Sequence, residues 1–297
     1  MTKARKTEKS SDRSLSTHNG FSLISNEKLL AIYSTMLKCR MLEERIHALR
    51  KQIGNAAKNA GTQVHVAAIA GAAIDLLSGD TLAPSQGAFA PCFAKGLPIA
   101  SILSAIVGQR PATRPRYSAL KLIPPSLSGA KQLEHALEAA KLCKGKRNNC
   151  VVAVFSSDVS HPVGQLESAM LMAGMKKLPI LFVCETKSNS DDRVRRVKEY
   201  GFPVVAVEDD DAIAVYRVAT EALAHARRGN GPTLIECKPW PFNDGGSGKR
   251  MPAKHPIGKM ETYLAGKGLF SRKLKAKLIA DFGGELDAAA RAVSQAR

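Results

Sequence analysis

The stretch that decides the fold runs from Val151 to Lys187 and reads VVAVFSSDVSHPVGQLESAMLMAGMKKLPILFVCETK. Two short apolar segments, 150–156 and 179–185, flank a segment at 163–175 whose apolar residues are spaced as in a helix. Short apolar strands that alternate with helices are typical of a parallel sheet covered on both faces. The stretch therefore predicts one strand–helix–strand unit of an α/β fold.

The same alternation continues on both sides of this unit. Strands are predicted at 81–85, 203–207 and 232–238, and helices at 27–52, 64–77, 98–108, 130–144, 193–201 and 212–228, with Ser25 or Asn26 capping the first helix. Residues 113–129 are Pro-rich and predict a long loop. Ligands in such sheets bind beyond the carboxyl ends of the strands, which places the expected site at 156–162, 186–192 and 239–248.

Two regions at the ends of the chain carry much of its formal charge of +18. Residues 1–20 hold five Lys or Arg and two acids, and residues 249–297 hold eleven and four. We expect a flexible basic tail over 1–24 and one domain over 25–297, with C-terminal helices from about 256. A basic chain can associate with polyanions. The sequence contains no RNP pattern or zinc-finger spacing, so nucleic-acid binding is the weaker alternative.

Other bulk features concern the compartment. No apolar run of eighteen or more residues occurs, and the N-terminal residues lack the apolar stretch of a secretory signal, so the expectation is a cytoplasmic protein that does not enter a membrane. The six cysteines are scattered without a CxxC pair. We expect them to be buried free thiols rather than metal ligands or disulfides. They are Cys39, Cys92, Cys143, Cys150, Cys184 and Cys237.

Two long segments carry a family resemblance. Residues 79–103, GDTLAPSQGAFAPCFAKGLPIASIL, are similar to the pattern GDxVFPSYRDHGxxLAxGxPxxxIL, and residues 154–187 follow FGDGxxxxGxxxEALNxAxxxKLPxxFVCENN without a gap. These patterns are those of the alpha subunit of the thiamine diphosphate-dependent 2-oxo acid dehydrogenases, the pyruvate and branched-chain enzymes. The chain resembles this family over roughly residues 25–290. The resemblance implies a thiamine diphosphate-binding fold, with a central parallel sheet and helices on both faces.

The same resemblance implies a cofactor, thiamine diphosphate with Mg²⁺, and marks where it would bind. In the family the Asp of GDG and the second Asn of NN hold the metal, and the glycines allow close approach to the diphosphate. Here Asp158 alone matches as a metal ligand, between Ser157 and Val159, and Lys187 replaces the Asn. Gly164 matches the next glycine. The candidate cofactor-binding residues are therefore Asp158, Gly164 and Lys187, and the last replacement predicts an Asp158–Lys187 ion pair where the metal would lie.

Further positions depart from the family pattern. Gln86, Gly87 and Phe89 replace the Tyr, Arg and His of SYRDH, and Val64, His65, Val66 and Ala67 replace GQEA. Glu134 and Glu138 replace small glycines that would lie against the cofactor, and the expectation is that both carboxylates face it. His65 and His135 are interpreted as packing or surface residues, His161 as an idle loop residue, and the acidic run 208–211 as a helix cap.

Three hypotheses follow. The first is an alpha-subunit-like protein that has lost or altered thiamine diphosphate binding and acts by association with a beta-like subunit in a homo- or hetero-oligomer, for which the Ala-rich helices are an argument. The second is a working oxidoreductase subunit that decarboxylates a 2-oxo acid and passes the acyl group to a lipoyl carrier, with Asp158 holding the metal. In both, the chain alone is not an enzyme, because the family's beta subunit supplies half of the site. The third is polyanion association through the basic ends.

Overall fold

The computed structural model describes residues 24–53, 65–109, 116–146, 149–157, 164–186, 199–238 and 255–295. Its centre is a sheet of five parallel strands in the order β1-β2-β3-β5-β4. The strands are β1 Thr81–Ala83, β2 Val152–Ser157, β3 Ile180–Glu185, β4 Val204–Glu208 and β5 Thr233–Lys238. The predicted α/β fold with a central parallel sheet is therefore confirmed.

The helices cover both faces of this sheet, as predicted. They are α1 Asn26–Gln52, α2 Val66–Ala73, α3 Ala90–Ala94, α4 Ile99–Ile106, α5 Gly129–Lys146, α6 Gln165–Met175, α7 Ala212–Arg227, α8 Pro256–Gly266 and α9 Arg272–Gln295. The five-residue helix α3 was not predicted, because it is too short to produce a periodic pattern. The helix predicted at 193–201 and the basic tail fall outside the described residues, apart from Ile24, which is buried, and the turn at 199–201.

Alternate strand residues build two separate cores. Val151, Ala153 and Phe155 pack into the core formed with α1, α2 and α7, whereas Val152 and Val154 pack into the core under α5 and α6. This division follows from the pleat, which sends successive side chains to opposite faces. Because helices cover both faces, a ligand can reach the sheet only at the ends of the strands.

Helix α1 begins where the sequence predicted. The Oγ of Ser25 accepts a hydrogen bond from the backbone N–H of Lys28 at 3.2 Å, which caps the helix. The apolar residues at helical spacing, including Leu29, Ile32 and Met36, are fully buried. The predicted start and the predicted buried face of this helix are thus confirmed.

The Ala-rich helix α2 is buried within the chain itself. All eight of its residues are buried, and it packs against α1, α3 and α7. At Gly71 a Cβ would lie 2.8 Å from Cγ1 of Val215 and 3.0 Å from the carbonyl oxygen of Ala212, so the glycine permits the close approach of α7. This corrects the expectation that the Ala-rich composition requires a partner subunit here.

A buried ion pair lies at the amino end of the sheet. The carboxylate of Asp80 is fully buried and accepts two hydrogen bonds from the guanidinium of Arg227, at 2.8 and 2.5 Å. Asp80 also accepts from the backbone N–H groups of Leu77 and Val151. Arg227 donates in addition to the carbonyl of Asn149. The pair therefore joins the C-terminal end of α7 to the start of β1, and the hydrogen bonds with Val151 and Asn149 extend this link to the residues before β2.

Two cysteines contradict the prediction of six free thiols. Cys143 and Cys150 form a disulfide with a Cα–Cα distance of 5.5 Å. Cys143 lies in α5, and the chain turns back after this helix to place Cys150 just before β2, a proximity that sequence spacing does not reveal. The other four cysteines are buried free thiols, as predicted: Cys39, Cys92, Cys184 and Cys237.

We expect four reactive thiols, not six, in the unreduced, denatured protein. Closing the loop between Cys143 and Cys150, with a sequence separation of 7, should stabilise the fold by roughly 2.5 kcal/mol on the loop-entropy model, so a reductant should lower the midpoint of urea unfolding. Thiol titration and urea unfolding with and without dithiothreitol check this. The Cys143→Ser, Cys150→Ser variant serves as the control, because its stability should not respond to dithiothreitol. Six titrated thiols would contradict the assignment.

Among the helices that the structure describes, none has both the length and the hydropathy needed to cross a bilayer.

Candidate functional site

The carboxyl ends of the strands meet on one edge of the sheet. There β2 ends at Ser157, β3 at Glu185, β4 at Glu208 and β5 at Lys238. His65, the residue directly before α2, reaches the same edge through its contact with Glu185. Polar side chains from several connections thus meet at the carboxyl edge, where a ligand was predicted to bind, although only residues 156, 157 and 186 of the three predicted segments are described.

The centre of this edge is formed by His65, Glu185 and Asp209, which we name the histidine–carboxylate cluster. The Nδ1 of His65 lies 2.5 Å from Oδ2 of Asp209, and its Nε2 lies 3.6 Å from Oε2 of Glu185. The three side chains are only 14%, 21% and 9% exposed. One imidazole therefore stands between two carboxylates, in a setting largely removed from water.

Burial and charge both act on Glu185. The pKa of its carboxyl group is raised from 4.5 to about 7, chiefly by burial; His65 opposes the rise, and the nearby carboxylates of Asp209 and Glu43 add to it. The side chain consequently titrates near neutral pH. Its protonation state decides how many negative charges surround His65.

Glu43 of α1 is a third carboxylate close to this cluster. Its Oε1 accepts a hydrogen bond from the backbone N–H of Ala90 at the start of α3, at 3.2 Å. Burial raises the pKa of Glu43, while Arg50 and the Ala90 hydrogen bond oppose that shift. This carboxyl group thus fixes the position of α3 and adds to the negative potential beside Glu185.

The predicted cofactor residues are only partly described. Gly164 has φ of 80°, a left-handed conformation that favours glycine, and it forms the N-terminal boundary of α6. Its carbonyl oxygen accepts hydrogen bonds from both the N–H and the Oγ of Ser168. Asp158, Lys187 and the ion pair predicted between them lie outside the described residues, as do His161 and the loop at 239–248.

The segment that aligns with SYRDH supplies no charged group. Gln86 is exposed, and the backbone N–H of Gly87 donates to the carbonyl of Pro125 at 2.9 Å. Phe89 is buried in the core with α1 and α2, where it marks the start of α3. Of these three positions, only Phe89 is a packing residue of the core.

The glutamates of α5 do not join the histidine–carboxylate cluster. Glu134 and His135 are exposed, and Glu138 forms an ion pair with Lys141 at 2.5 Å, with 60% of its side chain exposed. The lysine lowers the pKa of Glu138. These residues form a charged outer surface of α5, and the structure gives no contact that directs them to the carboxyl edge of the sheet.

Three aspartates follow β4 directly, and each has a different partner. Asp211 caps α7, since its Oδ1 accepts from the N–H groups of Ile213 and Ala214, and the predicted cap is confirmed. Asp210 pairs with Lys259 of α8 at 2.9 Å. Asp209 turns to His65 instead.

The pairing with Asp209 corrects the interpretation of His65 as a packing or surface residue. His65 and Asp209 are 144 positions apart, and the local patterns that contain them, the segment aligned with GQEA and the acidic run 208–211, do not relate one to the other. No sequence signal marked the pair.

The predicted metal ligand Asp158 and position 187 lie outside the described residues. Within the described ranges, no three His, Cys, Asp or Glu side chains are arranged to hold a metal ion. The described side chains at this edge are the carboxyl groups of Glu185 and Asp209 with the imidazole of His65, and Glu43 lies close to them. They do not by themselves form a site for a magnesium-bound diphosphate. The hydroxyl of Thr186, the residue that aligns with the first Asn of the family motif, is directed at the carbonyl of Cys237 at 3.4 Å.

Comparison of the sequence with known proteins gives consistent relatives. The chain is 28% identical over 236 residues to the alpha subunit of acetoin:2,6-dichlorophenolindophenol oxidoreductase of Bacillus subtilis, which covers 72% of this chain and 70% of the relative. It is 25% identical over 280 residues to the alpha subunit of 3-methyl-2-oxobutanoate dehydrogenase of Mycobacterium tuberculosis, covering 86% of this chain and 76% of the relative. The predicted resemblance to alpha subunits of this group is confirmed.

Comparison with solved structures supports the fold. A transketolase of Pichia stipitis superimposes with a TM-score of 0.51 at 17% identity, over 91% of this chain and 45% of the transketolase. The transketolase of Leishmania mexicana gives 0.50 at 17% identity, over 92% and 47%. The chain thus spans less than half the length of these enzymes. The sequence model of the family described as "Dehydrogenase E1 component" matches residues 33–297, so the chain belongs to the dehydrogenase E1 component family.

Proposed function

We propose that this chain is an alpha-subunit-like member of its family that has lost or altered thiamine diphosphate binding and acts by association with a beta-like subunit. The observation that carries the proposal is the pairing of His65, which stands in the segment aligned with GQEA, with the carboxylate of Asp209 at the carboxyl edge of the sheet. Glu185 also lies beside His65, and it is the Glu of the family pattern FVCENN. Asp209 places a further carboxylate at this edge, and a like charge in a partly buried site opposes the binding of a diphosphate.

The sequence departures support the same conclusion. Ser157 and Val159 stand where the family pattern has glycines that approach the diphosphate, and Lys187 stands where it has a metal-binding Asn. Lys is a cation without an acceptor atom and cannot ligate Mg²⁺. Each replacement removes a different part of the expected binding interaction, so together they argue against a bound magnesium diphosphate.

The names of the relatives support the association. The relatives from Bacillus subtilis and Mycobacterium tuberculosis are both designated subunit alpha, which describes one component of an assembly. We infer that this chain likewise assembles with a beta-like subunit. In that assembly it contributes the scaffold and contacts of an alpha subunit rather than a complete cofactor site.

One observation favours the alternative of a working subunit. Gly164, which matches a glycine of the family pattern, has the left-handed backbone conformation that favours glycine, directly before α6. In this alternative Asp158 holds the metal and the assembly oxidatively decarboxylates a 2-oxo acid with acyl transfer to a lipoyl carrier. Asp158 would then need magnesium ligands other than a residue at position 187.

Calorimetric titration with thiamine diphosphate and Mg²⁺ separates the two. It is done on the chain alone and on its complex with the beta-like chain that copurifies with it. We expect no saturable heat at ligand concentrations up to about 1 mM, which corresponds to less than about 4 kcal/mol of binding free energy. Saturable binding with a micromolar Kd would overturn the proposal and favour the working subunit.

A back-substituted variant provides the matched control. Ser157→Gly, Val159→Gly and Lys187→Asn restore the family residues at three positions. We expect this variant to bind thiamine diphosphate and Mg²⁺ more tightly than the natural chain, because it regains the close-approach glycines and an amide oxygen ligand. Equal binding by both proteins would mean that these three replacements are not the cause of the loss.

A further inference from the structure

The last two helices carry an uninterrupted run of positive charge. Residues 262–280, which extend from the second half of α8 into the first turns of α9, contain five Lys or Arg and no Asp or Glu. Four of these five cations are exposed. We name them the α8–α9 basic face: Lys267, Arg272, Lys273 and Lys277.

The four cations belong to one surface. Lys273 and Lys277 lie one turn apart on α9, where side chains are neighbours, and Arg272 directly precedes Lys273. Lys267 is the C-terminal cap of α8, and residues 268–271 alone separate it from α9. The cationic groups therefore follow one another along the turn between the two helices and the start of α9.

Carboxylates do not neutralise this face within the described part of the chain. The fifth cation of the run, Lys275, forms an ion pair with Glu261 of α8 at 2.8 Å, which holds the start of α9 against α8. Among the described residues, no carboxylate pairs with any of the four cations of the basic face. Exposed, unpaired cations on one surface create a positive potential that attracts polyanions.

An exposed aromatic ring lies beside these cations. Tyr263 of α8 is 39% exposed, and the Nζ of Lys267 lies 5.5 Å from the centroid of its ring. Tyr263 also lines a cavity of about 210 Å³, together with the exposed cation Arg217 of α7. The two aspartates that line this cavity are paired with Lys259. The ring is thus accessible to a ligand and has cationic side chains near it.

The ring distinguishes between the polyanions that the charge alone would attract. Single-stranded nucleic acids bind proteins by stacking bases on aromatic rings while cations contact the backbone phosphates. An acidic protein surface offers carboxylates to the lysines but no regular series of flat groups to the ring. The combination of ring and cations therefore favours a single strand over an acidic protein.

We propose that the α8–α9 basic face binds single-stranded nucleic acid, with its cations at the phosphates and Tyr263 stacked on a base. The polyanion association expected from the basic ends of the sequence thereby acquires a defined surface and a defined ligand. The face contains no residue of the histidine–carboxylate cluster, so this inference is independent of the proposed function. Phosphate contacts release counterions, and the affinity should therefore fall as the salt concentration rises.

Fluorescence anisotropy on the full chain tests the proposal. The probe is a labelled single-stranded oligodeoxynucleotide of about 16 nucleotides, which is long enough for one single-strand-binding domain. We expect saturable binding at about 50 mM salt and a slope of log affinity against log salt of about −3, because four phosphate contacts contribute about −0.7 each. Absence of measurable binding under these conditions would overturn the proposal.

Two charge-matched variants locate the binding surface. The test variant replaces three lysines of the face: Lys267→Glu, Lys273→Glu and Lys277→Glu. The control variant replaces three exposed lysines elsewhere: Lys51→Glu, Lys131→Glu and Lys176→Glu. Both variants lower the formal net charge from +18 to +12, since each replacement removes two positive units. All six lysines are exposed, so the thermal unfolding midpoints of the two variants should agree with that of the natural chain.

The two variants are expected to differ in affinity. The test variant should bind the oligonucleotide about tenfold more weakly than the natural chain, and the control variant within about threefold of it. Equal losses would overturn the proposal, because the total charge rather than the face would then drive binding. Poly-L-glutamate at the same concentration of negative charge should compete less well than unlabelled oligonucleotide. Equal competition would also overturn the proposal, in favour of an acidic protein as the partner.

Two substitutions at Tyr263 test the stacking contact. Tyr263→Ala should weaken binding by about fivefold, because the stacked base loses its ring. Tyr263→Phe keeps the ring and should bind as the natural chain does. An unchanged affinity of Tyr263→Ala would overturn the assignment to a single strand, as would an equal affinity of the natural chain for a duplex of the same length.

Discussion

Replacing Arg227 by alanine is expected to lower the free energy of unfolding by about 3–5 kcal/mol. The substitution leaves the carboxylate of Asp80, which is fully buried, without its guanidinium partner. Asp80 would keep only the N–H groups of Leu77 and Val151 as donors. An uncompensated buried charge is among the most destabilising changes that a single substitution can make. Equilibrium unfolding in urea measures the loss.

The exposed pair of Arg40 and Glu44 provides the control. These residues lie one turn apart on α1, with side chains 40% and 62% exposed. Arg40→Ala should therefore cost less than about 1 kcal/mol, because a solvated ion pair contributes little. If Arg227→Ala also costs less than about 1 kcal/mol, the Asp80 carboxylate is not held by Arg227 in the way the structure describes.

Replacing Glu185 by glutamine is expected to stabilise the chain above neutral pH, by up to about 3 kcal/mol. The amide imitates the protonated carboxyl group, which the buried setting favours over the carboxylate. The expected magnitude follows from the pKa of Glu185, raised from 4.5 to about 7 by burial and by the carboxylates of Asp209 and Glu43, against the opposing effect of His65. Urea unfolding at pH 8 provides the comparison.

The direction of the pH dependence follows from that raised pKa. The folded chain binds the Glu185 proton more tightly than the unfolded chain, so this residue contributes its full stabilisation below pH 4.5. The contribution falls as the pH rises through the interval between 4.5 and about 7, and it is lost above that interval. The natural chain should thus lose stability across this interval relative to Glu185→Gln, which has no titrating group at this position and keeps a neutral side chain at every pH.

A glutamate away from the site provides the matched control for this substitution. Glu134 is exposed on α5, outside the histidine–carboxylate cluster. Glu134→Gln should change the free energy of unfolding by less than about 0.5 kcal/mol at pH 8. If Glu185→Gln destabilises the chain at pH 8, the ionised carboxylate must be held by a favourable contact with His65, and the expected net effect of burial would be wrong.

The strands and the long helices were accessible from sequence for a simple reason. Their apolar residues repeat with the period of the element that buries them, as in Val152–Ser157 or in the buried side of α1. Caps add local signals, and Ser25 and Asp211 both act where the sequence placed them. Helix α3 escaped prediction because five residues complete little more than one helical turn.

The contacts between distant residues were not accessible in the same way. The disulfide requires that α5 end where it does and that the chain return to Cys150, and a spacing of seven residues alone does not determine this. The composition of α2 suggested a partner, whereas the structure buries that helix against α1 and α7. Apolar composition states that a segment is buried but not what covers it.

Sequence by itself determined the parallel α/β architecture, the family, and the individual replacements at Ser157, Val159 and Lys187, because each depends on a local pattern or on a position within one. Only the tertiary structure determined that His65 lies between Glu185 and Asp209. These three residues belong to three separate parts of the chain that meet at the carboxyl edge of the sheet. Interactions among charged side chains depend on distance and burial, and both are properties of the folded chain. That is why the departures from the family pattern could be identified residue by residue, while the contacts of His65 with two carboxyl groups could not.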